Sequence, residues 1–223
     1  MLELYNMEPM LYYCYDAYCG WCYGFSPVIK KIAEHYRDQL PIEVLSGGML
    51  IGETVQPIEK IGPFIQSAYQ RVEALTGIQF GEDFLWHVFN PDKSDWVMNS
   101  EKPAIALCIF KEIYPDRQLE FATDLQYALN YEGRDLDDDE AYRHLLEKYA
   151  LPADVFYTKL KSEAYKESAY YEFALCRQLQ ADSFPQLLLK AGDNKFYLLA
   201  KGYTPFEELQ ARIDNVLATV KNV

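Results

Sequence analysis

Basic residues are the scarce class in this sequence: 21 lysines and arginines stand against 34 aspartates and glutamates, a formal net charge of -13. Nucleic acids and anionic membrane surfaces are held chiefly by clustered cations, so neither is expected as a partner. No apolar stretch is long enough to span a bilayer. The opening MLELYNMEPM carries acidic residues where a secretory signal would have a basic segment, which makes a cytoplasmic location the expectation. Only three histidines occur, His35, His87 and His144, and no two stand at the spacing of a helical metal site. The five cysteines, at positions 14, 19, 22, 108 and 176, do not form a disulfide framework and lack the paired spacing of structural zinc. A single reactive pair in a reducing compartment fits them better. The acidic run Asp137 to Glu140 lacks the glycine and spaced ligands of a calcium loop, so it is expected to cap a helix.

What the chain does have is apolar mass: half of its 223 residues, enough to bury a sizeable core. Met10 to Tyr15 is a short apolar and aromatic run of strand type. After it, Val28, Ile29, Ile32, Ala33 and Tyr36 recur at helical spacing, and Ile42 to Ser46 reads as a second strand. The result is a βαβ unit, with Cys19-Gly20-Trp21-Cys22 at the carboxyl end of its first strand, where open α/β sheets place their chemistry. From about Pro57 the pattern turns helical. Ile58 to Leu75 is stopped by Gly77, Pro103 opens ALCIFKEI, Leu119 to Leu129 forms another stripe, and Tyr142 to Tyr149 one more. A longer helix is predicted over Glu163 to Gln180, capped by Ser162. Gln186 to Lys190 and Phe196 to Ala200 then read as strands joined by a turn at Gly192-Asp193-Asn194, and a last helix starts at Thr204-Pro205. Two α/β pieces thus flank a helical block.

The tetrad carries the chemistry. Unpaired N–H groups in a first helical turn favour a thiolate, so Cys19, at the strand-to-helix junction, is expected to be the more acidic and more accessible thiol. Cys22, within the turn, is near enough to close a disulfide with it and release a mixed species. The bland alternatives are a zinc site, with Cys14 as a third ligand, and inert packing. Cys14, Cys108 and Cys176 sit in apolar patterns and read as buried small hydrophobes. Asp16, three residues before Cys19, either caps the turn or acts through water as a proton acceptor for Cys22. Trp21 lies off the core stripe and is expected to face substrate.

These residues resemble a known family. The tetrad after a strand, the large helical stretch, and Ser183-Phe184-Pro185 feeding a hairpin and terminal helix look like the DsbA-like branch of the thioredoxin superfamily. Trp21 followed by Tyr23-Gly24 is most similar to the cytoplasmic FrnE-type dithiol-disulfide isomerases. The resemblance implies an α/β, thioredoxin-like fold with a large helical insertion: residues 1–56 and 170–223 as the two parts of the thioredoxin fold and 57–169 as the inserted subdomain. It implies Cys19 as the attacking and Cys22 as the resolving cysteine, and Pro185 as the cis-proline that, with Phe184 and Trp21, seats an extended substrate. No bound cofactor is expected; glutathione is the implied redox partner, and disulfide-bearing proteins or small thiols are the implied substrates. Gly20-Trp21 stands where the periplasmic oxidase has Pro-His, and Phe184 where a small branched residue is common, which points away from strong oxidase behaviour. Two rival readings share the architecture. One is a glutathione-dependent enzyme of the kappa-class transferase or 2-hydroxychromene-2-carboxylate isomerase type, which does not need Cys22. The other is a peptide-binding or chaperone module without turnover.

Overall fold

The computed structural model of the chain describes residues 9–192 and 195–221. In chain order its elements are β1 (Met10–Tyr15), α1 (Gly20–His35), β2 (Ile42–Ser46), β3 (Gln56–Pro57), α2 (Ile58–Thr76), α3 (Glu82–Phe89), β4 (Val97–Met98), α4 (Glu101–Ile113), α5 (Gln118–Asn130), α6 (Arg143–Lys148), α7 (Ala153–Leu160), α8 (Glu163–Gln178), β5 (Gln186–Lys190), β6 (Phe196–Lys201) and α9 (Phe206–Lys221). Among the described residues no helix is long and apolar enough to cross a membrane.

Strand β1 is the centre of the architecture. It pairs in parallel with β2, Leu11 opposite Ile42 and Tyr15 opposite Ser46, and antiparallel with β5, which pairs antiparallel with β6. The order is β2-β1-β5-β6. Side chains of a strand alternate between faces, so Leu11, Tyr13 and Tyr15 join the main core with Phe25 and Ile29 of α1 and Leu209 and Ile213 of α9. Cys14 points the other way, into a smaller cluster with Leu45, Leu188 and Cys176 of α8. This is the thioredoxin-like fold, with helices on both faces of the sheet and the block from α2 to α7 inserted after β2. The main core continues into that block through Phe110 and Phe121, whose rings stack at 4.2 Å, and Tyr149 against Phe110.

An edge strand such as β2 leaves backbone groups open to other chains. Here side chains of α4, α5 and α8 satisfy them. Val44 N–H donates to Gln118 Oε1 at 2.8 Å, Ser46 N–H to Glu172 Oε2 at 2.9 Å, and Lys111 Nζ to the Val44 carbonyl at 2.7 Å. Lys111 also pairs with Glu172 at 2.7 Å and with Glu43.

Several sequence expectations are corrected. The inserted block is not purely helical, because Gln56–Pro57 and Val97–Met98 form a two-residue antiparallel ladder too short to show alternation. Helices α3 and α7, eight residues each, carry too few turns to stand out as stripes. Ser162 occupies the cap of α8, but its side chain accepts no capping bond; its carbonyl takes Tyr165 and Lys166 N–H instead. Helix α8 ends at Gln178 rather than Gln180, and it runs unbroken through 169–170. At the start of α9 the Pro205 carbonyl accepts Leu209 N–H, which puts the proline in the cap rather than the first turn. The turn expected at Gly192-Asp193-Asn194 falls at residues 193 and 194 outside the described part.

Candidate active site

The chain leaves β1 at Tyr15 and turns through Asp16, Ala17 and Tyr18 into α1. Cys19 is the cap of that helix, with extended backbone (φ -84, ψ 106). Its sulfur accepts the Cys22 N–H at 3.3 Å and its carbonyl accepts the Tyr23 N–H at 3.0 Å. One of the free donors of the first turn is therefore aimed at the sulfur. Pro27 has no N–H to offer the Tyr23 carbonyl, and Ser26 Oγ donates to it instead at 2.7 Å, which keeps the helix continuous. Gly24 is where α2 comes closest: a Cβ there would lie 2.8 Å from Val72 and 2.9 Å from Thr76.

Across from Cys19 stands the Phe184–Pro185 peptide bond, which is cis. The Cys19 thiol donates to the Phe184 carbonyl at 3.4 Å. The tip of the Phe184 ring reaches Gly47, where an added Cβ would sit 2.0 Å from its Cζ, while Gly47 N–H donates to the Tyr15 carbonyl at 2.7 Å. Trp21 and Phe184 are both half-buried and line one cleft of about 560 Å³ with Cys19, Met49, Phe64, Tyr69 and Phe80. Arg177 and Asp182 supply the charge at its edge. A larger hollow of about 880 Å³ lies against Tyr12, Leu188 and Leu198 and contains neither member of the tetrad pair.

Both thiols are free, and both are deeper than an exposed helix start suggests: Cys19 is 6 % exposed and Cys22 0 %. Burial pushes the Cys22 thiol well above its ordinary range, the adjoining Cys19 adds to this, and the Asp16 backbone pulls the other way. Asp16 is itself buried, and burial raises its carboxyl above the usual carboxylate value against the opposing pull of the hydrogen bonds it accepts. Its Oδ1 accepts from Tyr18 N–H at 3.0 Å and Ser100 Oγ at 2.9 Å, and its Oδ2 from Met49 N–H at 2.8 Å. Gln126 Nε2 donates to the Asp16 carbonyl at 3.2 Å. The residue thus ties the loop before Cys19 to the loop after β2 and to two inserted helices.

Cys14 lies on the opposite face of the sheet from Tyr13, packed with Cys176, whose thiol donates to the Ser46 carbonyl at 3.5 Å, so it is remote from the tetrad as a ligand. Cys108 donates to Glu172 Oε1 at 3.6 Å. His35 contacts Gln210, His87 stacks on Trp96, and His144 pairs with Glu132, all away from Cys19. Among the described residues no group of three or more His, Cys, Asp or Glu is arranged around a metal position. Sequence reasoning passed over Gly47, Ser100 and Gln126, whose roles depend on contacts far apart in the chain.

The profile of the DSBA-like thioredoxin domain matches residues 11–214. No curated protein matches the sequence. Among solved structures, a "putative protein disulfide isomerase" from Nitrosomonas europaea is 25 % identical, with TM-score 0.82 over 95 % of this chain and 98 % of that one. The cytosolic disulfide reductase DsbM from Pseudomonas aeruginosa is 23 % identical, with TM-score 0.75 over 94 % and 99 %; a second structure of it is with GSH. A 2-hydroxychromene-2-carboxylate isomerase shares the fold at 13 % identity, with TM-score 0.66 over 96 % and 98 %.

Proposed function

The chain belongs to the family of DSBA-like thioredoxin domains, and from that premise we propose that it is a cytoplasmic thiol–disulfide oxidoreductase of the dithiol-disulfide isomerase or reductase type. The observation that carries this reading is the placement of Cys19. Its sulfur caps α1, takes the Cys22 N–H at 3.3 Å, and sits 3.4 Å from the Phe184 carbonyl at the mouth of an apolar cleft.

In the reaction, the Cys19 thiolate attacks one sulfur of a substrate disulfide and the other sulfur leaves as a thiolate. Cys22 then attacks Cys19, and the second substrate sulfur departs. The protein dithiol is oxidised by two electrons and the substrate reduced by the same two. Trp21 and Phe184 give the cleft its apolar contact surface, and the main chain at Phe184 beside Pro185 pairs with an extended segment. Asp16 serves here as the bracket of the active loop. The substrates are disulfide-bearing proteins or small thiols. Glutathione suits the cleft as redox partner, because Arg177 and Asp182 offer one charge of each sign to its carboxylates and ammonium, and a reductase of the same fold has been solved with GSH.

The glutathione-dependent isomerase reading keeps the fold but gives Cys22 no task, and a binding module gives neither cysteine one. Insulin reduction and refolding of a scrambled protein, run with wild type, Cys19→Ser and Cys22→Ser beside a glutathione-conjugation assay, separate the three. The expected outcome is activity in wild type only, with covalent complexes accumulating on Cys22→Ser and none on Cys19→Ser. Turnover of a small electrophile by Cys22→Ser, with no thiol activity in wild type, would reject the oxidoreductase reading.

A further inference from the structure

The cleft beside Cys19 has two chemically different walls. One is α2, whose Ile61, Phe64, Ile65, Ala68, Tyr69 and Val72 recur at helical spacing and all line the opening. Of the 19 residues of this helix only Ile58, Gly62 and Val72 are buried, so most of the apolar stripe is left for something outside the fold. Phe64 is 67 % exposed, and Tyr69 meets Phe80 at 6.3 Å and Phe89 at 5.8 Å edge to face, which extends the same surface. The other wall is the end of α8 with the stretch that follows to Phe184, and it carries charge. Asp182 there is partly answered by Lys201 at 2.7 Å. Arg37, Arg117, Arg134, Arg143 and Arg212 each hold a glutamate. Arg177 is exposed, and among the described residues its guanidinium makes no ion pair and donates no hydrogen bond.

We propose, resting on the oxidoreductase reading, that the substrate of this cleft is a mixed disulfide between glutathione and an apolar polypeptide segment, and that the reaction removes the glutathione. Each half answers one wall: a glutathione carboxylate pairs with Arg177, and a large apolar side chain beside the polypeptide's cysteine rests on Phe64 and Tyr69. Oxidised glutathione would leave the α2 wall facing water, and a disulfide between two apolar segments would leave Arg177 unanswered. The size agrees, since about 560 Å³ holds a tripeptide with a neighbouring side chain and not a folded domain. Depth sets the direction of attack. Cys19 is 6 % exposed, so the slimmer half reaches it and the sulfur attacked is that of glutathione. The Cys19 thiolate bonds to that sulfur, the substrate S–S bond breaks, and the polypeptide leaves as a thiolate that takes a proton from solvent. Cys22 then gives up its proton and attacks Cys19 Sγ, the Cys19–Cys22 bond forms, and glutathione departs as the second thiolate. The substrate gains two electrons and the protein dithiol loses them; two further molecules of glutathione restore the dithiol and leave as oxidised glutathione.

Single turnovers of the reduced protein with three synthetic mixed disulfides test this, in about 0.15 M salt so that long-range charge is screened, with the rate of peptide release as the readout. The first is a glutathionylated peptide with phenylalanine on either side of its one cysteine. The second is the same peptide capped by cysteamine, which has no carboxylate. The third is glutathionylated but has serine in place of phenylalanine. The first should react about 5-fold faster than either of the others. Arg177→Gln should erase its advantage over the cysteamine form, and Phe64→Ser its advantage over the serine form; both side chains are exposed, so both variants keep the fold. On Cys22→Ser the trapped adduct should have the mass of glutathione and not of the peptide. Equal rates for the three disulfides, ratios that neither variant moves, or a peptide adduct on Cys22→Ser would overturn the proposal while leaving the exchange chemistry standing. No reaction with any of the three or with insulin would instead reject the oxidoreductase reading, and the proposal with it.

Discussion

Asp16 is surrounded by three donors, Tyr18 N–H, Met49 N–H and Ser100 Oγ, all within 3.0 Å. Asp16→Ala would strand them in a dry site, and denaturant titration should show a loss of about 3 kcal/mol or more. The pH dependence has a definite sign. Because burial raises the folded carboxyl above its ordinary 3.8, the unfolded chain loses this proton first, so stability from this residue is full below that value and falls as pH rises through the raised one. Unfolding curves for Asp16→Asn should lack that decline. A wild type whose stability does not fall there relative to Asp16→Asn would contradict the burial argument. Cys19, with 6 % exposure against 0 % for Cys22, should be the first of the pair to react with iodoacetamide. Of these residues the sequence disclosed the cysteines, since CxxC after a strand is a local signal. It left Asp16 between cap and relay, because Met49 and Ser100 stand 33 and 84 positions away and no spacing rule reaches them.

At the scale of elements, β2 is sealed by side chains from three helices: Lys111 of α4, Gln118 of α5 and Glu172 of α8. Periodicity could find the strand and the helices but not this seal, because a lysine, a glutamine and a glutamate on helices read as solvent-facing. Breaking such a buried pair from one side leaves an uncompensated charge. Lys111→Met should therefore cost about 3–5 kcal/mol in chemical unfolding, and much of it should return when Glu172 is also replaced by leucine. If the single and double variants lose the same stability, the pair is not what holds the edge. The acidic neighbours Glu172 and Glu43 outweigh burial and raise the Lys111 ammonium above its usual 10.5, so its contribution is whole at neutral pH and is lost only as pH climbs past the raised value. Other elements escaped the sequence for reasons of length. Helices of eight residues and strands of two are shorter than the window in which periodicity can be counted.

The whole molecule presents an acidic surface around an apolar cleft. A net charge of -13 repels anionic substrates over distances that salt screens. Reduction of oxidised glutathione should accelerate as ionic strength rises, and that of the dication cystamine should slow; the same response for both would remove any steering role for the charge. Beside the cleft Phe64 is 67 % exposed and Phe89 50 %. Phe64→Ser should weaken turnover of protein disulfides several-fold while sparing small ones, read as a change in kcat/KM for the two classes. The helical insertion was visible in the composition shift near Pro57, but the cleft was not, since its walls come from stretches as far apart as residues 18–21, 61–84 and 177–184. One further consequence follows from the cysteines that the redox reading leaves aside. Cys14 and Cys176 meet between β1 and α8 with no exposed surface, and the Cys176 thiol is held well above its ordinary range by Cys14 and by burial. No reagent reaches them until that helix lifts from the sheet. In a Cys19→Ser/Cys22→Ser background their slow labelling is a clock for the opening of the fold, ticking at the free energy of that one interface.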